Sequence, residues 1–197
     1  MYWRAKLRLS KSASFHVCPK TIVSIDKNAN MTIRSGELTI NDTWCSTRKR
    51  RYVSEFRLDK ESIFVCEGVF KLFQGASIYV APYAKLILKG GWSFLNTNST
   101  PNCFHHIEIG KGCSISDIVC IADSDSHYID GCKEKRAAPI FIGDHVWIGK
   151  NGTVLKGVTI RSGAVVGTGS VVTKDLLCNT VVAGNPARPI KIIEKWE

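Results

Sequence analysis

The sequence has 197 residues, 44% of them hydrophobic and 22% charged, which supports one packed domain and leaves too little chain for a second large one. Its formal net charge of +10 favours anionic partners, such as phosphate-bearing cofactors, nucleic acids or acidic membrane surfaces. There is no uncharged apolar run of about 18 residues and no apolar core of a secretory signal, so we expect a cytoplasmic protein without a membrane span.

Residues 1–60 are only weakly patterned. VSIDKNANMTIRSGELTIND alternates apolar and polar residues between turn formers, which predicts short coils of strand without a clean register. STRKRRY, residues 46–52, is most simply a solvated basic loop; the alternatives are contact with nucleic acid or with an anionic membrane carrying lipid-linked saccharides. Stacking aromatics are not interleaved with these cations, so we expect no nucleic-acid partner and at most peripheral membrane contact.

Between residues 61 and 176 an apolar residue recurs every six positions, but the phase of this period changes along the chain. The period appears at Val80, Leu86 and Trp92, then in another phase at Ile109, Ile115 and Ile121, which predicts insertions near 94–106 and 122–139. It is cleanest in the hexads IGDHVW, IGKNGT, VLKGVT, IRSGAV, VGTGSV and VTKDLL, which begin at residues 142, 148, 154, 160, 166 and 172. A tail follows at 177–197.

A six-residue period fits neither an α-helix nor simple strand alternation. It fits a coil in which each hexad forms one short strand and a corner, so that three hexads close a triangle around an aliphatic column. The sequence therefore predicts an all-β, single-domain parallel β-helix with inserted loops.

The second insertion lies in ADSDSHYIDGCKEKRAAPIFIG, residues 122–143. Subtracting three whole hexads from the 21 positions between Ile121 and Ile142 leaves three residues, so either extra residues leave the coil or one side of the coil is replaced. Of the five histidines, only His127 lies in such an insertion, together with Asp123 and Asp125. Histidine suits proton transfer near neutral pH, and a carboxylate can fix its tautomer. We expect His105 and His106 to be wall or corner residues and His145 to face outward.

The hexads resemble those of the hexapeptide-repeat acyltransferases. PIFIGDHVWIGKNGTVLKGVTIRSGAVVGTGSVVTKD followed by VVAGNPARPI resembles the sugar O-acetyltransferase branch, which includes galactoside, maltose and polysaccharide acetyltransferases. The resemblance implies a left-handed parallel β-helix, a homotrimer, and transfer of acetyl from acetyl-CoA to a sugar hydroxyl in surface polysaccharide biosynthesis. ADSDSHYI is similar to the D-x-D-x-H segment of many polysaccharide acetyltransferases, which assigns the general base to His127 and its orienting partner to Asp125 or Asp123.

The same resemblance implies an acetyl-CoA site in an outer groove between coils. It places Trp147 beside the acyl or pantetheine channel, Lys150 and Thr168 near the pantetheine arm, and Thr173, Lys174, Arg188 and Lys191 near the nucleotide. In trimers of this family the active site is built between subunits, so the loop of His127 is expected to face Trp147 of another chain.

Several alternatives compete with this interpretation. N-acetylation of an amino sugar or nucleotide sugar stays open, because a base facing an amine looks the same in sequence. A zinc-dependent protein like the β-helical carbonic anhydrases is a second alternative, which Trp147 and the GNPAR segment disfavour. A calcium loop is disfavoured because Tyr128 stands where the sharp turn needs glycine. The eight cysteines contain no C-x-x-C pair, so we expect no metal and no disulfide framework.

Overall fold

The computed structural model describes residues 6–43, 52–128 and 136–197. The basic segment 46–51, a candidate for membrane or nucleic-acid contact, lies outside these ranges. Within them, no helix has the length and apolar character that crossing a membrane requires.

The described residues form 23 strands. The first twelve are β1 (Lys6–Leu9), β2 (Ala13–Val17), β3 (Thr21–Ile25), β4 (Asn30–Ile33), β5 (Gly36–Asp42), β6 (Ser54–Leu58), β7 (Ile63–Cys66), β8 (Phe70–Phe73), β9 (Ile78–Val80), β10 (Lys85–Leu88), β11 (Ser93–Leu95) and β12 (Thr100–Cys103). The remaining eleven are β13 (His106–Ile109), β14 (Ser114–Ile115), β15 (Cys120–Ala122), β16 (Ile140–Ile142), β17 (Trp147–Ile148), β18 (Thr153–Leu155), β19 (Thr159–Ile160), β20 (Val165–Val166), β21 (Val171–Val172), β22 (Thr180–Ala183) and β23 (Arg188–Ile192).

These strands form three sheets that the chain visits in turn. Sheet A contains β1, β4, β7, β10, β13, β16 and β19; sheet B contains β2, β5, β8, β11, β14, β17, β20, β22 and β23; sheet C contains β3, β6, β9, β12, β15, β18 and β21. Neighbouring strands are parallel except for β22 and β23, which are antiparallel. The result is a three-sided prism with an A–B, a B–C and a C–A edge, so the predicted parallel β-helix is confirmed.

The column of inward residues matches the hexads. All six aliphatic positions from Ile142 to Val172 are exposed by 2% or less, and the fifth hexad positions are buried beside them. Ile109, Ile142 and Ile160 occupy the same register position on three successive strands of sheet A. Each coil therefore stacks like on like, and the fold gains most of its stability from this continuous apolar column.

Trp92 does not belong to this column, and its expected inward position is wrong. The residue is 73% exposed at the A–B edge with a φ of 66°, and Leu95 is the buried residue of that side. The corner before it is longer by one residue than the six-residue period allows, because it turns through Gly90 at a φ of 73°. A Cβ at Gly90 would lie 2.4 Å from the carbonyl carbon of Gly68, so this close approach of two coils requires glycine.

The two expected insertions differ in size. Most of the segment 94–106 is ordinary wall, since β11 and β12 pair within sheets B and C, and only the corner before β13 carries extra residues. The second insertion is much larger. β15 and β16 lie on consecutive sides of one coil, so the second insertion falls at the C–A edge and does not replace a side of the coil.

The C-terminal segment closes the prism and then turns back along it. β22 continues sheet B beyond β20, and β23 folds against β22. After β23 the Ile193 N–H donates a hydrogen bond to the Asn179 carbonyl (2.9 Å), and Trp196 reaches His145. The segment expected to be a simple tail therefore contains two strands and a return along the A–B edge.

Candidate functional site

The loop that leaves the C–A edge, residues 123–139, has an ordered base. Ser124 forms an antiparallel bridge with Ala137, the Asp125 N–H donates to the Arg136 carbonyl (2.9 Å), and the Ala138 N–H donates to the Asp123 carbonyl (2.9 Å). These bonds fix the two ends of the loop side by side. The loop therefore projects from a defined point on the prism.

His127 lies beyond this base, and its side chain is exposed. A turn delivers it there, because Ser126 has a φ of 61° and its N–H is bonded to the Ser124 hydroxyl (3.0 Å). No residue in the described part of the chain hydrogen-bonds to the imidazole. One chain thus presents His127 at an edge of the prism with its ring nitrogens open to a ligand or another subunit.

Asp123 lies at the base of the loop but belongs to the wall. Its carboxylate is fully buried and accepts hydrogen bonds from the backbone N–H groups of Phe104 (2.7 Å) and His105 (2.8 Å), with the Cys103 thiol 3.7 Å away. Burial, and secondarily this carboxylate, raise the pKa of the Cys103 thiol. Because both carboxylate oxygens are used within the wall, a single chain does not bring Asp123 into contact with the exposed His127.

Asp125 faces outward and forms an ion pair with Lys156. Lys156 follows β18 at the same C–A edge, one coil further along, and the Gly157 N–H beside it donates to the Ala138 carbonyl (3.1 Å). An ion pair and a backbone hydrogen bond therefore link the described part of the loop to the next coil. The sequence did not single out Lys156, although its place at a hexad corner below the insertion is a usable signal.

Trp147 lies on sheet B, which is the side of the prism opposite the C–A edge. Its side chain is 42% exposed, and its indole N–H donates to the Ser116 hydroxyl (3.2 Å). Because a triangular coil separates each edge from the facing sheet, His127 and Trp147 of one chain lie on opposite sides of the wall. They can share a ligand only if two chains pack with an edge against a sheet.

The other residues expected to bind the cofactor fall into three groups. Lys150 and Thr168 are exposed on successive corners of the B–C edge, where the Gly169 N–H donates to the Lys150 carbonyl (2.8 Å). Thr173 and Lys174 are exposed on the C–A edge, two coils beyond the loop of His127. Arg188 and Lys191 lie on β23 in sheet B. A single chain therefore does not gather them around one point.

Lys191 is nevertheless aligned with Trp147. Cross-strand register runs from Trp147 to Val165, from Val165 to Val181, and from Val181 to Lys191. At about 4.8 Å between strands, these three steps span roughly 14 Å. The outer face of sheet B thus carries an aromatic residue at one end of a short valine strip and a cation at the other.

The sequence also missed a contact at the A–B edge. The His145 ring stacks on the Trp196 indole, with ring centroids 4.0 Å apart and planes at 4°, and the Trp196 centroid lies 6.0 Å from that of Trp147. No hexad pattern signals Trp196, because it stands outside the repeat. Its pairing with His145, 51 positions away, depends on the return of the tail.

His105 and His106 lie where they were expected, at the corner before β13 and at its first residue. His106 begins β13, its ring meets that of Phe141 edge-on at 5.3 Å, and burial lowers its pKa. Its Nε2 atom is buried without a hydrogen-bond partner. Among residues 6–43, 52–128 and 136–197, no three His, Cys, Asp or Glu side chains are grouped to hold a metal ion, and the six cysteines in those ranges are free.

Known proteins resemble this chain both in its hexapeptide repeat and in its fold. Residues 139–174 match the family described as "Hexapeptide repeat of succinyl-transferase". The chain is 37% identical over 134 residues to nodulation protein L of Rhizobium meliloti, covering 64% of this chain and 72% of that protein.

A second curated relative is the polysialic acid O-acetyltransferase of Escherichia coli O1:K1. It is 48% identical over 90 residues, which cover 44% of this chain and 29% of that protein. The chain thus spans about a third or less of the length of the first curated relatives that it matches.

Solved structures extend the likeness to nearly the whole chain. A polySia-specific acetyltransferase aligns with a TM-score of 0.57 at 24% identity, covering 98% of this chain and 89% of that one. A galactoside acetyltransferase in complex with coenzyme A aligns with a TM-score of 0.50 at 26% identity, covering 71% and 66%. The fold is therefore the left-handed parallel β-helix that the family resemblance implied.

Proposed function

Since the chain belongs to the hexapeptide-repeat acyltransferase family, we propose that it transfers the acetyl group of acetyl-CoA to a hydroxyl group of a sugar. The observation that carries this proposal is the loop at 123–139, which holds an exposed histidine at one fixed point of an otherwise uniform wall. Histidine is a suitable proton acceptor near neutral pH, and among the five histidines of the sequence only His127 lies in this loop.

In the proposed reaction the sugar oxygen attacks the thioester carbonyl carbon directly. The His127 imidazole takes the hydroxyl proton as the new C–O bond forms. The C–S bond then breaks, and the imidazolium returns the proton to the departing CoA thiolate. No acyl-enzyme is required, and the outcome is an O-acetyl sugar and free CoA.

The active site is proposed to lie between subunits of a homotrimer. Two observations support this arrangement: His127 and Trp147 lie on opposite sides of one prism, and none of the described residues of the same chain hydrogen-bonds to the imidazole. Packing the C–A edge of one chain against sheet B of the next would bring both residues to one cleft. We propose Asp125 as the aspartate that orients His127, since Asp123 is buried and bonded within the wall whereas Asp125 is exposed and paired only at the surface, with Lys156.

The proposed donor is acetyl-CoA. The residues that would hold it are Trp147 at the acyl end and Lys191, with Arg188, near the phosphates, since cations and an apolar strip suit its two ends. Support comes from the similar galactoside acetyltransferase, which was solved with coenzyme A. Lys150, Thr168, Thr173 and Lys174 remain proposed contacts along the two other edges.

The proposed acceptor is a saccharide of a surface polysaccharide, made at or near the cytoplasmic face of the membrane. The similarity to a polysialic acid O-acetyltransferase supports a polymeric sugar acceptor. The net charge of +10 suits an anionic donor, an anionic saccharide or an anionic membrane surface.

The test is to incubate the protein with acetyl-CoA and a panel of neutral, acidic and amino oligosaccharides. We expect one acceptor to gain the mass of one acetyl group while free thiol is released, and His127→Ala to abolish both signals. Treatment of the product with mild base distinguishes the alternatives, because an O-acetyl ester is cleaved and an N-acetyl amide is not. Thiol release unchanged by His127→Ala would refute the proposed mechanism.

The shared site has its own test. His127→Ala and Trp147→Ala chains are each expected to be inactive, and mixed oligomers made by co-expression should regain activity, because some clefts then contain both native residues. A mixture of His127→Ala with Asp125→Asn, which alters the same edge, is the control and should regain little. Absence of recovery in the first mixture would contradict a site between subunits.

A further inference from the structure

The tail after β23 runs along the A–B edge beside the proposed donor site. The Ile193 N–H is bonded to the Asn179 carbonyl, and three residues later Trp196 contacts His145, two coils nearer to the N-terminus. Two coil spacings of about 4.8 Å are close to the reach of three extended residues. The tail is therefore extended and ends at the coil that carries Trp147.

Two reciprocal hydrogen bonds fix Trp196 at this coil. The His145 Nε2 atom lies 2.8 Å from the Trp196 carbonyl oxygen, and the Trp196 indole N–H donates to the His145 carbonyl oxygen at 2.9 Å. Because a carbonyl oxygen only accepts, Nε2 must carry a proton in this contact. Together with the stacked rings, this arrangement sets both the position and the tilt of the indole.

Trp196 and Trp147 form an aromatic pair on the outer face of the prism. Their ring centroids are 6.0 Å apart with planes at 45°, and neither ring is fully buried. From Trp147 towards the C-terminal end of the prism, the residues in cross-strand register are Val165, Val181 and Lys191. Val165 is only 7% exposed and Val181 is half-buried, so between the aromatic pair and the exposed Lys191 this face offers a narrow aliphatic strip.

This order, from aromatic and aliphatic residues to a cation, matches that of acyl-CoA, whose apolar acyl-pantetheine end is joined to a phosphate-bearing end. We propose that Trp196 is a donor-binding residue that, with Trp147, contacts the pantetheine arm next to the thioester, and that His145 is its positioning residue. The inference rests on the proposed function and adds to it a site wall made by the C-terminal tail.

Variants of the 197-residue chain test this inference. Trp196→Ala should raise the KM for acetyl-CoA and the Kd for CoA by about fivefold to tenfold, the range expected for loss of one aromatic contact, with a smaller change in kcat. Trp196→Phe, which keeps a ring, should recover most of the affinity. His145→Asn removes the stacking ring at a position whose φ of 53° asparagine tolerates, and should raise the same KM by a smaller factor.

Trp92→Ala is the matched control, because Trp92 is an exposed tryptophan at the same A–B edge in a different coil. It should leave the KM and the Kd unchanged. A Trp196→Ala protein that loses thermal stability but keeps wild-type KM and Kd would make Trp196 a structural pin and overturn the inference. Wild-type protein that does not bind CoA by calorimetry would overturn the proposed function itself, which separates the two failures.

Discussion

The wall formed by residues 140–176 and the loop at 123–139 that precedes it follow opposite rules. In the wall each hexad position recurs in the same environment, coil after coil, so the loss of one side chain changes one layer of a continuous column. In the loop no hexad position recurs, and the exposed His127 stands outside the repeat. The stability of the fold is therefore distributed over the repeated residues, whereas the residues proposed for catalysis interrupt the repeat.

The boundary between the two regions lies within a span of three residues. Asp123 still follows sheet C and binds the backbone of the previous coil, whereas Asp125 faces outward and pairs with Lys156. Two aspartates of one short motif thus belong to different regions. Substitutions in the wall should therefore lower stability and leave activity unchanged, whereas substitutions in the loop should lower activity and leave stability unchanged.

The largest effect is expected at His127. Removing a general base typically lowers the rate by about 10²-fold to 10⁴-fold, so His127→Ala should lower kcat by that factor. Its thermal midpoint should equal that of the native protein, because the side chain is exposed. His16→Ala, also at an exposed histidine, is the control and should change neither quantity. A large loss of stability in His127→Ala would assign the residue to the wall.

The reverse pattern is expected at Ile160, which is fully buried in the column. Ile160→Ala should lower the free energy of unfolding by about 2–5 kcal/mol, through lost apolar burial and the cavity left behind. Denaturant titration measures this loss, while kcat per folded molecule should stay near the native value. The control is Ile22→Ala, at an isoleucine that is 57% exposed, and a comparable loss there would contradict the distinction.

An intermediate effect is expected at the boundary itself. Asp123→Asn puts an amide in place of the buried carboxylate and leaves one of its two backbone N–H partners poorly paired, so the free energy of unfolding should fall by about 1–3 kcal/mol. Asp125→Asn, two residues away, should alter stability little, because an exposed ion pair is worth about 1 kcal/mol or less. Its effect should appear in kcat. If Asp123→Asn instead changed only kcat, Asp123 would belong to the loop and not to the wall.

The sequence predicted the C-terminal coils well because every corner there has the same length, which preserves a six-residue period. It predicted the earlier coils poorly because the corner at Gly90 and the corner before β13 are longer, so the period slips while the strands stay paired. Trp92 was therefore placed inward although it is exposed. The longer corners leave the inward residues buried, but they make the positions of those residues unpredictable from a fixed six-residue count.

The same limit applies to the site. The loop of His127 was predictable because it breaks the period, but the partners of Asp123 lie one coil earlier, at Phe104 and His105. Only the coil register identifies them. Trp196 was not predictable, since its contact with His145 depends on the path of a tail that carries no repeat.

The smallest effect concerns the thiols of the wall. Burial raises the pKa of Cys66 to about 11, above its ordinary value of 9.0, whereas Cys178 is exposed. At pH 9 a thiol with a pKa near 11 is ionised to only about 1%. Because the thiolate is the nucleophile, iodoacetamide at that pH should alkylate Cys178 and spare Cys66, as mass spectrometry of peptides would show. In denaturant both should react alike. Rapid alkylation of Cys66 in the folded protein would mean that this part of the wall opens, so the wall could not be the uniform and inert region that the loop interrupts.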